Sequence, residues 1–249
     1  MKYRAVLAYE GTAYAGWQRQ LNQPTIQAKI EDVLNLINGR PVVVHSAGRT
    51  DAGVHAVGQV ISFILDREWD PPILCRAING NLPEDVRIVA VETAGPDFHP
   101  RFDARFKTYR YQIVTANVMS PFLRRQALHY PYALDRQRLV DHANQLIGCH
   151  DFRGFTVSDC EVVTTIRTIH TVELLENEET LSIHFTGDGF LRYQVRTMVA
   201  ALFELNTDRH GRYAANNIHS MTELIATGDR SLVGTMAPAL GLTLMKVEY

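Results

Sequence analysis

Polar and apolar residues alternate at the start of the chain, from Lys2 to Leu7, and this period of two predicts a β-strand over residues 2–9. A period near 3.6 follows, which predicts a helix that begins at Thr25 and ends at Gly39. The apolar positions that share one face of this helix are Ile26, Ile30, Val33, Leu34 and Ile37. The two patterns indicate a strand followed by a helix that packs through one face.

Segments dense in β-branched and apolar residues predict further strands in the first hundred residues. These predicted strands are 42–46, 59–65 and 86–91. Two prolines open the segment 71–81, in which we expect a short helix. Residues 1–105 are therefore predicted to form one α+β half with a β-α-β-type layout.

A similar layout recurs in residues 106–249, which we predict to form a second α+β half. Its predicted strands are 107–115, 162–175, 180–187 and 242–247. Its predicted helices are 135–147, stopped by Gly148, then 190–206, and a third near 215–227. The apolar face of the helix over 190–206 includes Val195, Met198, Val199 and Leu202. The predicted fold class is α+β, with two similar halves.

Composition allows a large core and argues against a uniformly basic surface. A chain of 249 residues buries roughly 70–75% of its unfolded surface. The net charge of −2 is unlike that of a strongly basic nucleic-acid-binding domain. However, 21 of the 25 basic residues are arginine, whose planar side chain binds phosphates and stacks on bases. The arginine clusters are Arg101, Arg105 and Arg110, joined by Lys107, and then Arg124 and Arg125. They indicate phosphate contacts or, alternatively, ordinary solvated faces.

Cysteine usage and hydropathy indicate the compartment. The three cysteines form no C-x-x-C pair, and their odd number is typical of reduced thiols. The chain shows neither a signal-peptide core nor an apolar run of the roughly 18 residues that a membrane span needs. We therefore expect a soluble cytoplasmic protein.

Residues 48–56, GRTDAGVHA, carry the most informative candidate chemistry. Glycines flank Asp51 and permit turn dihedrals and close approach of a ligand, while Arg49 and His55 can meet anionic groups around the carboxylate. This arrangement suits a nucleophile, although the local pattern taken alone favours a plainer role, because an aspartate in a glycine-flanked turn is usually an Asx-turn or helix-cap residue. A metal site formed by His45, Asp51 and His55 is disfavoured because the spacing matches no compact ligand pattern.

The motif GRTDAGVHA resembles that of the TruA-type tRNA pseudouridine synthases, and further family motifs follow in the family's order over almost the whole chain. They are residues 9–20 (YEGTAYAGWQRQ), 25–27 (TIQ), 79–86 (NGNLPEDV), 102–105 (FDAR), 107–111 (KTYRY), 148–152 (GCHDF), 190–196 (FLRYQVR) and 237–242 (APALGL). Glu10 stands where the family usually has aspartate, and residues 148–150 also depart from the common pattern. These departures leave the motifs that carry the catalytic residues intact.

The resemblance implies a fold, an activity and residue roles. The implied fold has two halves sharing a mixed, mostly antiparallel sheet with a central RNA-binding cleft. The implied reaction isomerises uridine to pseudouridine in the anticodon stem-loop of tRNA, without cofactor or metal, in a homodimer. Asp51 would be the nucleophile, Tyr109 would stack on the target base, and Arg196 would pair with Asp51.

Each implied role has a plainer alternative. Tyr109 and Tyr111 point to the same side of a strand and can form a half-buried aromatic stripe. Arg196 can be an exposed position of an amphipathic helix. For the whole chain, the alternatives are a noncatalytic RNA-binding module and a carboxylate hydrolase acting on a nucleoside. A hydrolase of this kind uses a pair of carboxylates, and the sequence offers no second carboxylate in a motif as informative as that of Asp51.

Overall fold

The structure, a computed structural model, describes residues 1–157, 162–206 and 218–249. These residues divide into two compact units, one formed by Met1–Arg105 with Thr243–Tyr249 and the other by Phe106–Leu242. Each unit combines helices with paired strands. The predicted α+β class is therefore confirmed.

The helices and strands follow one another in mixed order along the chain. Up to residue 105 they are β1 (Lys2–Tyr9), α1 (Ile26–Asn38), β2 (His45–Ser46), β3 (His55–Ile64), α2 (Pro71–Asn79) and β4 (Val86–Thr93). From residue 106 they are β5 (Phe106–Val114), β6 (Leu128–His129), α3 (Arg136–Asn144), β7 (Gly148–Asp151), β8 (Ile166–Glu176), β9 (Thr180–Gly187), α4 (Gln194–Asn206), α5 (Met221–Thr227) and β10 (Leu242–Glu248).

The first unit places its strands in the order β4, β1, β3, β10, with the short β2 paired to β3. Strand β1 is antiparallel to both of its neighbours, and it buries alternate residues from Tyr3 to Tyr9. Helix α1 begins where the Thr25 side chain accepts the Ala28 N–H, and it ends at Gly39 in the left-handed conformation. Both ends agree with the sequence prediction.

The last strand belongs with the first unit, although the predicted second half ran to residue 249. Strand β10 is parallel to β3, with Thr243 paired to His55 and Leu244 to Ala56. The Arg105 N–H also donates to the Glu248 carbonyl oxygen at 2.8 Å. Strand pairing between distant parts of the chain, which local sequence does not encode, sets this boundary.

The second unit is antiparallel through the order β5, β9, β8, β7, and β6 adds a short parallel pairing to β5. Helix α4 is buried along its whole length: every residue except Arg196 is buried. The alternative in which Arg196 occupies the exposed face of an amphipathic helix therefore does not describe α4. Polar residues such as Gln194 and Thr197 are buried alongside its apolar ones.

Several predicted boundaries differ from the structure. The strand predicted over 42–46 is limited to β2, and the helix predicted over 190–206 begins only at Gln194. Helix α3 ends at Asn144, and Gly148 starts strand β7, which the sequence analysis missed, instead of stopping a helix. Strand β7 has no local signal because it exists only by pairing with β8.

Further expectations concern the cysteines, the helix near 215–227 and membrane spans. Cys75 and Cys149 are free thiols, and Cys160 lies outside the described residues. The predicted helix near 215–227 is observed as α5, and residues 215–217 lie outside the described ranges. None of the helices in the described ranges combines the length and the apolar character needed to span a bilayer.

Candidate active site

Asp51 lies on the loop that connects β2 to β3, and its side chain is half-buried. The turn is closed through the main chain, because the Val54 N–H donates to the Asp51 carbonyl oxygen at 3.1 Å. The preceding residue, Thr50, is buried, and its Oγ1 is 2.8 Å from the Tyr9 hydroxyl. Burial raises the pKa of Tyr9 to about 12, so this hydroxyl keeps its proton at neutral pH.

The chain segment 10–17 holds the Asp51 loop in place through its backbone. The Trp17 N–H donates to the Thr50 carbonyl oxygen at 3.0 Å, and the Gly53 N–H donates to the Tyr14 carbonyl oxygen at 3.3 Å. A Cβ on Gly11 would overlap the Val54 carbonyl oxygen, and one on Gly16 would lie 2.8 Å from the Thr50 carbonyl oxygen. Two glycines are therefore required where the two segments touch.

His55 and Glu10 tie the same two segments together. His55 is only 4% exposed, and its Nδ1 accepts the Gly11 N–H at 3.0 Å. The Glu10 carboxylate lies 3.7 Å from the same nitrogen, and it also accepts the Thr12 N–H. These contacts give His55 a structural role in the loop, and the substrate contact suggested for it stays a prediction.

The motif at 79–86 forms hydrogen bonds with residues of the segment 10–17. The Tyr14 hydroxyl donates to Asp85 Oδ1 at 2.7 Å, and the Glu10 N–H donates to the Asp85 carbonyl oxygen at 2.9 Å. Burial, together with the Asp85 carboxylate, raises the pKa of the Tyr14 hydroxyl. The motif at 79–86 thus holds residues 10 and 14, and the segment that contains them contacts the backbone of the Asp51 loop.

In the second unit, Tyr109 and Tyr111 are both buried on β5, and as alternate residues they face the same side. The Tyr109 ring meets Phe190 edge to face, with ring centroids 5.1 Å apart. The Tyr111 hydroxyl donates to the Pro238 carbonyl oxygen at 2.8 Å. Tyr109 therefore borders the segment that leads into α4, and Tyr111 contacts the motif at 237–242.

Arg196 lies in the first turn of α4 and is the one residue of that helix that is not buried. Its Nε donates to the Ala237 carbonyl oxygen at 2.8 Å, and its own carbonyl oxygen accepts the Ala237 N–H at 3.2 Å. This double contact fixes the stem of the side chain against residue 237. An exposed helical position would have no such anchor, so the alternative of a solvated amphipathic face does not describe Arg196.

The sequence analysis missed two features of this region. The Ala237 carbonyl oxygen accepts a hydrogen bond from Arg196, and the Pro238 carbonyl oxygen accepts one from Tyr111. Neither Ala237 nor Pro238 has a reactive side chain that would mark it in the sequence. Tyr193 adopts a positive φ of 66° directly before α4. The motifs FLRYQVR and APALGL contain these residues, but no local pattern shows that the two motifs touch.

The remaining predicted RNA contacts are spread over both units. Arg49, Arg101 and Arg105 are exposed in the first unit, and Arg124 and Arg125 are exposed in the second. Arg110 is half-buried on β5, on the face opposite Tyr109, and it pairs across the strands with His184. Burial lowers the pKa of Arg110 and of His184. Arg110 therefore lies on the opposite face of β5 from its chain neighbours Tyr109 and Tyr111.

The candidate catalytic residues are divided between the units, with Asp51 in the first and Tyr109 and Arg196 in the second. Within the described residues, no group of three or more His, Cys, Asp or Glu side chains is arranged to hold a metal ion. His45 contacts His99 instead, with ring centroids 5.3 Å apart.

Comparison with known proteins identifies the family. A family model described as tRNA pseudouridine synthase matches residues 5–103 and 142–249. The tRNA pseudouridine synthase A of Streptococcus thermophilus (strain CNRZ 1066) is 39% identical over 252 residues, covering 100% of this chain and 99% of the relative. That of Streptococcus equi subsp. equi (strain 4047) is 38% identical over 251 residues, covering 100% and 98%.

A solved structure titled "Crystal Structure of a Cbf5-Nop10-Gar1 Complex" is 12% identical and covers 80% of this chain and 54% of its own, with a TM-score of 0.30. That similarity is too low to support any statement about this protein. The family model and the two full-length relatives, in contrast, span both units, and so the chain belongs to the TruA-type tRNA pseudouridine synthases.

Proposed function

We propose that this tRNA pseudouridine synthase modifies neighbouring uridines in the anticodon stem-loop of tRNA, with Asp51 as the nucleophile and without a cofactor. We also propose that it acts in the cytoplasm as a homodimer, with one tRNA lying across both protomers. The observation that carries the proposal is the construction of the Asp51 loop. The backbone of residues 10–17 holds it so closely that glycines are needed at the points of contact.

The reaction sets the requirements for the site. The N1–C1′ glycosidic bond of uridine breaks, the uracil turns, and a C5–C1′ bond forms. The proton on C5 leaves and N1 gains one, so atoms and electrons balance without an oxidant or a co-substrate. The site therefore needs an ionised nucleophile, a pocket that retains the detached base, and a group that removes the C5 proton.

Asp51 meets the first requirement in this proposal. A half-buried carboxylate tends to protonate, and a nearby cation typically lowers an aspartate pKa by about 1–3 units. We assign that cation to Arg196 on the basis of the family motif at 190–196. Its Nε is bonded to Ala237, and pairing through the two terminal nitrogens is the geometry in which arginine binds a carboxylate bidentately.

Tyr109 meets the second requirement. Its ring is buried against Phe190 and leaves the strand on the same face as Tyr111. An aromatic ring fixed in this way can stack on an extruded uracil, and the hydroxyl can assist in removing the C5 proton. Phenylalanine at this position should keep the stacking and lose the hydroxyl.

The exposed arginines supply phosphate contacts in this proposal. Arg49, Arg101, Arg105, Arg124 and Arg125 are exposed, as binding to RNA phosphates requires. An A-form stem offers its phosphates and shape more readily than its base edges. Arg110 is also assigned to RNA contact, although burial on the opposite face of β5 makes it the least accessible of the set.

The decisive experiment incubates the purified chain with unmodified tRNA transcripts and maps pseudouridine by carbodiimide labelling and primer extension. We expect product in the anticodon stem-loop, and a loss of at least about a thousandfold in single-turnover rate for Asp51→Asn. The affinity of this variant for tRNA should stay within about threefold, because the amide keeps the shape of the carboxylate. Tyr109→Phe should retain affinity but react more slowly.

Each other outcome excludes part of the proposal. Turnover by Asp51→Asn at the wild-type rate would remove Asp51 from its role. Binding without product would indicate a noncatalytic RNA-binding module, and release of free uracil would indicate a nucleoside hydrolase. Product elsewhere in the tRNA would exclude the anticodon stem-loop, and light scattering that shows a monomer would exclude the homodimer.

A salt series tests the arginines separately from the chemistry. Binding should weaken steeply with salt, and replacing Arg124 and Arg125 by Ala should reduce both the affinity and the slope of log K against log salt. The rate at saturating enzyme should stay unchanged. An unchanged slope excludes these phosphate contacts, and a collapsed saturating rate would place both arginines in catalysis.

A further inference from the structure

Tyr193 has a backbone conformation that its residue type disfavours. Its φ of 66° lies in the left-handed region, where only Asn22 joins it among the non-glycine residues that the structure describes. Asparagine tolerates this region, whereas a bulky aromatic residue there is an outlier. The conformation is strained, so other contacts must maintain it.

Hydrogen bonds on both sides of Tyr193 enforce this turn. The Arg192 carbonyl oxygen accepts the Thr156 hydroxyl at 2.9 Å, and Thr156 is buried. The Leu191 N–H donates to Gln194 Oε1 at 2.8 Å, while the Gln194 N–H donates back to the Leu191 carbonyl oxygen at 3.1 Å. The turn is therefore determined by its neighbours and not by the preference of Tyr193.

The turn presents the Tyr193 ring to two guanidinium groups. The Arg196 guanidinium carbon lies 5.6 Å from the ring centroid, and that of Arg192 lies 4.7 Å from it. Arg192 Nη2 also donates to the Tyr193 hydroxyl at 2.7 Å. Arg192 is exposed and Tyr193 is half-buried, so each cation–π contact stabilises only weakly.

The weakness of these contacts argues against a role of the Tyr193 ring in stability. The two cation–π contacts together do no more than offset the backbone strain. The contacts also bring two positive charges to the same ring, which is unfavourable. What the arrangement achieves is a fixed position for Arg196, which Ala237 holds at Nε and the Tyr193 ring supports at 5.6 Å.

We propose that Tyr193 is a positioning residue of the reaction, whose ring orients the Arg196 guanidinium while Arg192 anchors the Tyr193 hydroxyl. This inference rests on the role assigned above to Arg196. In that proposed role a planar guanidinium pairs with a carboxylate in one orientation, and small misplacements of catalytic groups cost up to about a hundredfold in rate. The strain at Tyr193 is the structural cost of that orientation.

The test compares ringless variants that suit the backbone with a variant that keeps the ring. Tyr193→Asn accepts a positive φ and removes the ring, and Tyr193→Gly does the same if the asparagine variant does not fold. We expect a single-turnover rate about tenfold below wild type at saturating enzyme, with tRNA affinity within about threefold and an unchanged or higher melting temperature. Tyr193→Phe should stay within about threefold of wild type in rate.

A double-variant cycle links the effect to Arg196. In an Arg196→Lys background, Tyr193→Asn should slow the reaction by less than about twofold, because the group that the ring positions is already changed. Tyr132→Asn, at an exposed tyrosine of the same unit, serves as the matched control and should react at the wild-type rate.

The outcomes separate this inference from the proposed function. Wild-type rates in Arg196→Lys would overturn the role of Arg196 itself. A slow Arg196→Lys together with a wild-type rate in the ringless Tyr193 variants would overturn only the positioning role. The positioning role would also be overturned if the rate losses of Tyr193→Asn and Arg196→Lys multiplied fully in the double variant. A loss of tRNA affinity in Tyr193→Asn without a loss of rate at saturating enzyme would overturn it as well.

Discussion

The Asp51 loop and the turn before α4 hold their key side chains in different ways. In the first unit, the main chain of residues 10–17 lies directly against the main chain of residues 50–54. In the second unit, Arg196 is held by a side-chain bond to Ala237 and by the ring of Tyr193. One site is shaped by backbone contacts, and the other by side chains attached to a strained turn.

The difference predicts different sensitivities to mutation. Two backbones in contact have no rotamers with which to adjust, so even a methyl group forces the segments apart. Side chains adjust more easily, and a substitution in the second unit should lower the rate more than the stability. Changes at Gly11 and Gly16 should therefore damage the fold, and changes at Arg196 should damage the chemistry.

Gly11→Ala should have the largest effect. The added Cβ would overlap the Val54 carbonyl oxygen and lie 2.6 Å from its carbon, so the Asp51 loop must move. We expect a loss of about 2–4 kcal/mol in unfolding free energy, measured by urea denaturation, and a rate at least about a hundredfold lower. Gly95→Ala, where a Cβ meets nothing within 4 Å, is the control. A Gly11→Ala variant with wild-type stability and rate would contradict the backbone-contact account.

Arg196→Lys should come next, as a loss of rate. Lysine keeps the charge but cannot both donate through Nε to Ala237 and present a planar fork. We expect a single-turnover rate about 10–100-fold lower at saturating enzyme, with a melting temperature within a few degrees of wild type. A drop in stability as large as that of Gly11→Ala would show that the second unit also depends on this residue for folding.

Tyr9→Phe tests whether side chains matter for the Asp51 loop. The Tyr9 hydroxyl lies 2.8 Å from Thr50 Oγ1 in a buried position, so its removal should cost about 1–3 kcal/mol of stability. The rate at saturating enzyme should stay within about threefold, because the backbone contacts remain. Tyr3→Phe, whose hydroxyl contacts the Trp69 backbone, is a matched control on the same strand. A rate as low as that of Gly11→Ala would show that side chains, and not backbone contacts alone, hold the Asp51 loop.

Glu204→Gln should have the smallest effect, on the pH dependence of stability. Glu204 Oε1 accepts the Gly234 N–H at 2.9 Å, and burial raises the pKa of this carboxyl from 4.5 to about 7, with Arg230 partly opposing the shift. Because the folded-state pKa is the higher one, the stabilisation is complete below about pH 4.5 and is lost as pH rises to about 7.

The measurement is the melting temperature at several pH values between 4.5 and 8. Wild type should lose stability relative to Glu204→Gln as the pH rises from about 4.5 to about 7. Glu178→Gln, in the exposed turn between β8 and β9, should keep the wild-type slope. Equal slopes in wild type and Glu204→Gln would show that Glu204 does not titrate in this range.

Several elements were predictable from local sequence because their signals are local. Thr25 and Gly39 mark the ends of α1, and the β8–β9 hairpin follows from two β-rich runs joined by a polar turn. The start of α4 was predicted four residues early because residues 190–193 have helix-compatible composition. Tyr193 ends that pattern through a conformation that contacts with Thr156 and Gln194 impose.

Periodicity and motif spacing are properties of the linear chain, and they suffice to predict the α+β class, the family and the candidate residues Asp51, Tyr109 and Arg196. The support of the Asp51 loop by residues 10–17, the bond from Arg196 to Ala237 and the pairing of β10 with β3 arise only in the folded chain. These features depend on close approach of segments far apart in the chain. Backbone atoms and carbonyl groups make the contacts, and these are common to every residue type, so the sequence carries no local signal for them.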